Sequence, residues 1–215
     1  MVKSLGRCLL IGDSHIPKRA KSVPDKIIDK LEELTNAELF DYTFFTGDVI
    51  KAPEFIKFLE RITKTSKNLF FVIGNMDYYG GNRNSPVFQE LKLLFPDGDK
   101  IMVGLTHGAQ IQPRGDHIQL ESLAIKKSSN ILISGHTHKE EIFLSKNGIL
   151  LLNPGSVTGA WSFVASGIPS FLVIDINDQT KELLVSLFQL DKRIDEILES
   201  KSYFIFKNNK INYKF

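Results

Sequence analysis

Five short motifs in this chain concentrate residues suited to holding a cation: Gly12-Asp13-Ser14-His15, Gly47-Asp48, Gly74-Asn75-Met76-Asp77, Thr106-His107-Gly108 and Gly135-His136-Thr137-His138. Asp13 and Asp48 offer hard, negatively charged oxygen. Asn75 offers an amide oxygen, and His15, His107, His136 and His138 offer imidazole nitrogen, which suits zinc and similar borderline metals. These groups are too many for one four-coordinate ion with an open position. They match two divalent ions, of the Zn or Mn type, held ~3.5–4 Å apart by a shared carboxylate. Asp13 and His15, like His136 and His138, are spaced i, i+2, which in an extended loop would direct both side chains to neighbouring positions. The adjoining glycines are expected to let the backbone turn sharply there. A lone Asp after a strand is usually a turn or cap residue, and a lone His is usually a core or surface group; His117 is read that way. The weight lies in five motifs, each placed just after a strand pattern, where ligands bind in open α/β sheets.

The elements that must position them follow from short apolar runs alternating with helical periodicity. Strands are expected at Arg7–Ile11, Tyr42–Thr46 and Leu69–Ile73, each ending at a glycine. Between them lie two helices. The first has Ile27, Ile28, Leu31 and Leu34 in phase, with Ser22 as a candidate cap; the second runs from Pro53 to about Thr65 with Phe55, Ile56, Leu59 and Ile62 on one face. That rhythm implies a parallel sheet with crossover helices. Further on come a strand at Ile101–Thr106, a helix from Ile118 to about Ser128 and a strand at Ile131–Ser134. Glu141–Ser145 and Ile149–Leu152 flank Lys146-Asn147-Gly148, a hairpin signal. Phe171–Ile176 and Leu183–Gln189 read as a second antiparallel pair. Residues 1–190 are read as one domain and 191–215 as an extension. In that extension Ile194, Ile197 and Leu198 repeat at helical spacing, Tyr203–Lys207 alternates, and fraying is expected.

Composition narrows the class. The chain has 215 residues, with 42% hydrophobic and 24% charged, near the globular average. Disorder and low complexity are excluded. The net charge of +2, from 27 Lys and Arg against 25 Asp and Glu, is no polyanion-binding signature, so no nucleic-acid partner is expected. The one cysteine, Cys8, forms no intramolecular disulfide, which favours a reducing, cytoplasmic setting. The run Cys8–Ile11 is too short for a signal-peptide core. No run approaches the ~18 apolar residues of a membrane-spanning helix, so membrane contact is expected only through a partner.

The order of the five motifs resembles the calcineurin-like metallophosphoesterase superfamily, from about residue 7 to 190. The resemblance implies an α/β fold, a four-layer α/β/β/α sandwich of two mixed sheets. It also implies metal roles: Asp13, His15 and His138 for a first ion, Asn75, His107 and His136 for a second, and Asp48 as the bridge. One position departs, since hydrolytic members commonly carry His where this chain has Met76. A thioether is only a weak acceptor, and general acid–base catalysis is typically worth ~10²–10⁴-fold, so weak or absent hydrolysis is expected.

Within the superfamily the chain is similar to the vacuolar protein sorting 29 family, the small retromer subunit. The likeness rests on Gly12-Asp13-Ser14-His15-Ile16-Pro17, on Gln110–Asp116, on Ile131–Lys139, on Asn153-Pro154-Gly155-Ser156-Val157-Thr158-Gly159-Ala160 and on Ile168–Phe171. It implies a scaffold in endosome-to-Golgi or vacuolar protein sorting, peripheral on endosomal membranes. The metal-loop end would dock a large helical-solenoid retromer subunit through Ile16, Pro17, Ile111 and Pro113. An apolar patch on the late strands, with Val173 and Phe188, would recruit sorting nexins or regulators. Gln112 and Arg114 stand where the family is bulkier and apolar, and the insert Gly80–Ser85 matches none of its segments. The alternative reading is a metal-dependent phosphodiesterase on small phosphodiesters.

Overall fold

The computed structural model describes residues 4–81 and 84–214; Asn82 and Arg83, within the Gly80–Ser85 insert, lie outside the described residues. Two mixed sheets pack face to face. The first has the order β12-β11-β10-β9-β1-β2-β3 and the second β4-β5-β6-β8-β7. Their strands are β1 Ser4–Ile11, β2 Tyr42–Phe45, β3 Leu69–Phe71, β4 Phe88–Leu94, β5 Lys100–Thr106, β6 Ile131–Ile133, β7 Glu140–Leu144, β8 Leu150–Pro154, β9 Ser170–Asn177, β10 Glu182–Asp191, β11 Glu196–Lys207 and β12 Lys210–Tyr213. The helices are α1 Asp25–Thr35, α2 Pro53–Ile62, α3 Asn75–Tyr79 and α4 His117–Lys126.

The central strand shows why the layers form. β1 pairs in parallel with β2 and antiparallel with β9, with Leu9 opposite Val173. Cys8 and Leu10 point between the sheets, where they meet Phe44, Leu172, Ile174, Ile101 and Ile131. Leu9 and Ile11 point the other way, into a second core under α1 and α2 with Ile27, Leu31, Phe55 and Leu59. Burial on both faces is what an unbroken apolar run specifies. α4 covers the far face of the second sheet through Leu120 and Ala124, which pack on Leu132 and Leu151. The result is the helix–sheet–sheet–helix sandwich that the superfamily likeness implied.

Several local expectations are corrected. Ser22 is not the cap of α1, which starts after Pro24 with no side-chain cap bond. The side-chain cap is on α4, where the Asp116 carboxylate accepts from Gln119 N at 2.9 Å. β4 and the short α3 went unread; β4 is a half-exposed edge strand whose alternation is diluted by Gln89, Glu90 and Lys92. Val173 and Phe188 form no surface patch. They are 1% and 2% exposed within the core under α1, and Lys30 of α1 lies over the Phe188 ring.

The largest correction is the tail. Ile194, Ile197 and Leu198 do not form a helix, and the segment does not fray. β11 pairs with β10 from Glu182↔Ile205 to Asp191↔Glu196, and β12 pairs with the end of β11. Asn208 and Asn209, at φ 54° and 59°, supply the left-handed two-residue turn of a tight hairpin. Phe204, Phe206 and Ile211 are thereby inserted between the sheets, with Phe206 stacked 5.8 Å from Phe95. If this tail belongs to the core, Phe204→Ala should cost about 3–5 kcal/mol, the usual loss for a buried ring. Urea unfolding checks this; a change below about 1 kcal/mol would show the hairpin to be dispensable.

Candidate metal centre

All five motifs end at one edge of the sandwich. Their side chains arrive from strands on both sheets, Asp13 and His15 after β1, Asp48 after β2, Asn75 after β3, His107 after β5, His136 and His138 after β6. The local backbone is not extended as the i, i+2 spacing suggested. Asp13, His15, Asp48, His136 and His138 all sit at positive φ, between 49° and 69°. A non-glycine residue there costs of order 1–3 kcal/mol unless its surroundings hold it.

Those surroundings are hydrogen-bonded side chains. The Asp77 carboxylate accepts from the backbone N–H of Asp48 at 2.7 Å, of Ile50 at 2.8 Å and of Gly74 at 3.1 Å. The Ser156 hydroxyl donates to the Asp13 carbonyl at 2.7 Å and accepts from Ala160 N at 2.9 Å. Thr158 donates to the Ser14 carbonyl at 3.0 Å. Asn153 donates to the Gly135 carbonyl at 3.1 Å and to the Thr137 hydroxyl at 2.9 Å. The run Asn153–Ala160, read from sequence only as a likeness, is therefore a brace for the first and last motifs. The positioning roles of Asp77, Asn153, Ser156 and Thr158 emerge only in the fold; the sequence signal for them is polar side chains set among glycines next to the motifs.

The glycines act mainly by leaving room. Gly47 and Gly108 have φ of 100° and 93°, the left-handed turns expected of them. Gly12, Gly74 and Gly135 have no such φ; a Cβ at Gly74 would stand 1.9 Å from Asp48 Oδ1 and 2.3 Å from Asp48 N.

The atoms that converge are nearly all acceptors. His138 Nδ1 donates to the Ala160 carbonyl at 2.8 Å and His107 Nδ1 to the Thr46 carbonyl at 2.8 Å. Those bonds fix both tautomers, so in the neutral rings each Nε2 presents a lone pair to the centre. His138 Nε2 lies 3.0 Å from His15 Nε2 and 3.3 Å from Asp13 Oδ1. His107 Nε2 lies 3.1 Å from Asn75 Oδ1, 3.2 Å from His136 Nδ1 and 3.6 Å from Asp48 Oδ2. Asp48 Oδ2 is also 3.3 Å from His15 Nε2, while Asp48 Oδ1 is engaged by Met76 N at 2.8 Å. Asp13 Oδ1 is buried and has no hydrogen-bond partner. Two groups could hold an ion, Asp13 with His15 and His138, and Asp13 with Asp48 and His107, the ligand atoms of each lying within 4.8 Å of one another. Buried acceptors aimed at each other are costly unless positive charge sits among them, so the donor set fits divalent metal. Bound there, such ions would act as Lewis acids and lower the pKa of coordinated water.

The electrostatics agree. Burial holds His15 down at about 3, with His138 and Arg19 adding to the effect against the pull of Asp13. Burial, then the His107 and Arg114 charges, holds His136 down at about 4. Both rings are neutral and available as ligands at physiological pH. Burial opposes charge on His138, yet the adjacent Asp13 carboxylate leaves its pKa above the ordinary value. Burial would push Asp13 up, but the His138, His107 and His15 rings reverse this and hold it well below the usual carboxylate range. Burial outweighs the His107 charge at Asp48, which is pushed up to about 6.

Of the proposed partner residues, Pro17 and Pro113 are exposed on the loops beside this centre and Ile16 is half-buried. Ile111 is no surface anchor: it is 5% exposed and packs with Leu120 and Ala124 under α4. His117 is the bland group the sequence implied, paired with Glu141 at 3.0 Å and stacked 3.9 Å from Phe143.

Two outcomes follow from this geometry. Gly74→Ala should displace Asp48 and reduce metal uptake, read by elemental analysis; uptake equal to wild type would show that Asp48 is not needed. Affinity should fall as pH drops through about 6, because protons then compete for Asp48 and His138. Calorimetry between pH 7.5 and 5.5 checks it, and a flat profile contradicts it.

Comparison with known proteins agrees with this geometry. The family model described as the calcineurin-like phosphoesterase superfamily domain matches residues 7–179. A protein of Methanocaldococcus jannaschii described as a "probable metallophosphoesterase" is 36% identical over 157 residues, 72% of this chain and 71% of its own. Among solved structures, vacuolar protein sorting 29 from Cryptosporidium parvum superposes with a TM-score of 0.78 at 30% identity, over 93% of this chain and 98% of that one. Wild-type Vps29 from Entamoeba histolytica, complexed with Zn²⁺, gives 0.74 at 28% identity, over 92% and 98%. A sandwich of two mixed sheets, a centre of converging acceptors and these matches lead to one assignment: the chain belongs to the calcineurin-like phosphoesterase superfamily, with Vps29 proteins as its structural neighbours.

Proposed function

We propose that this chain is a retromer subunit that acts as a protein-interaction scaffold in endosome-to-Golgi or vacuolar sorting. The observation that carries the reading is the likeness to Vps29 over nearly the whole of both chains, 93% and 98% for the Cryptosporidium protein. In this reading Asp13, His15 and His138 hold one divalent ion, Asn75, His107 and His136 a second, and Asp48 bridges them. The ions pin the strained loops, and that end of the sandwich docks a helical-solenoid subunit. Because Ile111 is buried, the anchors are the exposed Pro17 and Pro113, with the neighbouring Trp161 and Phe163, which are 62% and 79% exposed. Sorting nexins or regulators would meet another surface, since Val173 and Phe188 are buried. Among the described residues no helix is long and apolar enough to cross a membrane. Location on endosomal membranes would come through the complex.

A second reading, a metal-dependent phosphodiesterase, is favoured by the full acceptor set and by the archaeal relative. Met76 weighs against it, being half-buried beside the centre with no titratable group to offer.

Co-elution with the cognate retromer solenoid subunit at micromolar concentration tests the proposal. Wild type should bind. Phe163→Asp should keep its melting temperature and weaken binding by about tenfold or more, since it brings an unpaired charge into an apolar contact. Wild type that fails to bind, yet hydrolyses bis(nitrophenyl) phosphate with Mn²⁺ at ordinary enzymatic rates, would replace the scaffold with the enzyme.

A further inference from the structure

A groove of about 450 Å³ opens between the starts of α1 and α2, beside the metal centre but not on it. Ile16, Val23, Ile28, Phe55 and Phe58 give it an apolar lining, and the exposed Lys21, Ser22 and Lys51 stand at its mouth. Ile16 is therefore a wall of this groove and not a protruding anchor. Its place is fixed by the loops of the centre: it pairs with Ile50, and Lys51 N donates to its carbonyl at 2.8 Å. The space suffices for a large apolar side chain from outside.

Charge says what kind of chain would bring that side chain. On the loops of this edge, 12–24, 46–52, 72–87, 107–116, 134–139 and 155–169, no described carboxylate is free to face a partner. Asp13 and Asp48 are buried in the centre, Asp77 holds three N–H groups and Asp116 caps α4. The cations on the same loops, Lys18, Arg19, Lys21, Lys51, Arg114 and Lys139, have no ion-pair partner among the described residues. Many lysines and arginines elsewhere do: Lys30 meets Glu33 at 2.7 Å, Arg61 meets Glu32 at 2.6 Å and Lys64 meets Asp41 at 2.7 Å. Asp25 and Glu54 also line the groove. They sit in first helical turns, where the helix ends attract them, and Glu54 meets Lys57 at 3.4 Å. A chain with a net charge of only +2 thus concentrates unpaired positive charge around one apolar groove.

We propose that the groove receives an acidic segment of the partner protein, an apolar side chain entering between Lys21 and Lys51 with carboxylates on either side of it. This deepens the scaffold reading and rests on it. A basic or neutral segment would leave the cations facing nothing of opposite sign. Complementary charge across an interface speeds encounter and rejects wrong partners. The seated apolar anchor then slows escape, since interface contacts act mostly on dissociation.

Association and dissociation rates with the cognate retromer solenoid subunit test it, alongside sedimentation with phosphatidylserine vesicles. Wild-type association should slow by about tenfold between low and ~0.3 M salt. Lys21→Glu combined with Lys51→Glu should slow association by about tenfold at low salt and leave dissociation nearly unchanged. Ser22→Trp, at an exposed position, fills the groove from its mouth. It should raise the dissociation rate about tenfold while association and melting temperature stay as in wild type. Wild-type binding that ignores salt and the lysine variant, or an unchanged dissociation rate in Ser22→Trp, would overturn this inference and leave the scaffold reading standing. Wild type that fails to bind the solenoid would overturn both. The chain alone should stay in solution with the vesicles; sedimentation that the lysine variant abolishes would assign the face to lipid and overturn the protein partner.

Discussion

Everything at the functional end of this molecule depends on loops held in a conformation they would not keep alone. Five of the acceptor residues sit in left-handed backbone, a strain of order 1–3 kcal/mol each that only an over-determined surrounding sustains. Two devices sustain it. One is the pair of rigid sheets from which the loops spring. The other is the set of buried carboxyl, amide and hydroxyl groups that bind the loop backbone, with Asp77 alone holding three N–H groups. The left-handed turns re-aim the side chains inward and bring residues 123 positions apart, such as His15 and His138, into contact.

The same tightness explains why the centre must be read as a whole. Asp48 uses one carboxylate oxygen to accept from the α3 backbone and turns the other toward His15 and His107. His138 and His107 each spend Nδ1 on a carbonyl and so expose Nε2. Each ligand is thus aimed by a bond on its far side, and removing the outer bond would free the ring to turn without touching any atom of the inner set.

The sequence was most legible where one physical rule acted alone. Two-sided burial of Leu9, Leu10 and Ile11 read directly as a central strand, and residue chemistry after strand ends located the centre. Legibility failed where tertiary context decided. Ile194, Ile197 and Leu198 have helical spacing, but pairing with β10 and burial of Phe204 and Phe206 between the sheets make Glu196–Lys207 a strand and leave Ile194 in the turn before it. Val173, Phe188 and Ile111 are apolar residues whose exposure depends on where α1 and α4 lie, which periodicity does not state. The left-handed turns at Asp13 and His136 were hidden because residues other than glycine carry them. What stabilises them, Ser156 and Asn153, lies far along the chain.

The placement of β1 has a kinetic side. Its partner on one flank, β9, lies 164 residues away at the Leu9–Val173 pair. Non-local pairing of this kind slows folding, because the entropy of closing a long loop is spent before the contacts repay it. The first motif hangs from the end of β1, and its brace, Ser156 and Thr158, lies in the segment between β8 and β9. The acceptors of the first motif meet their brace only when that seam is closed, so the geometry that can hold metal is a property of the whole sandwich and not of any one local segment.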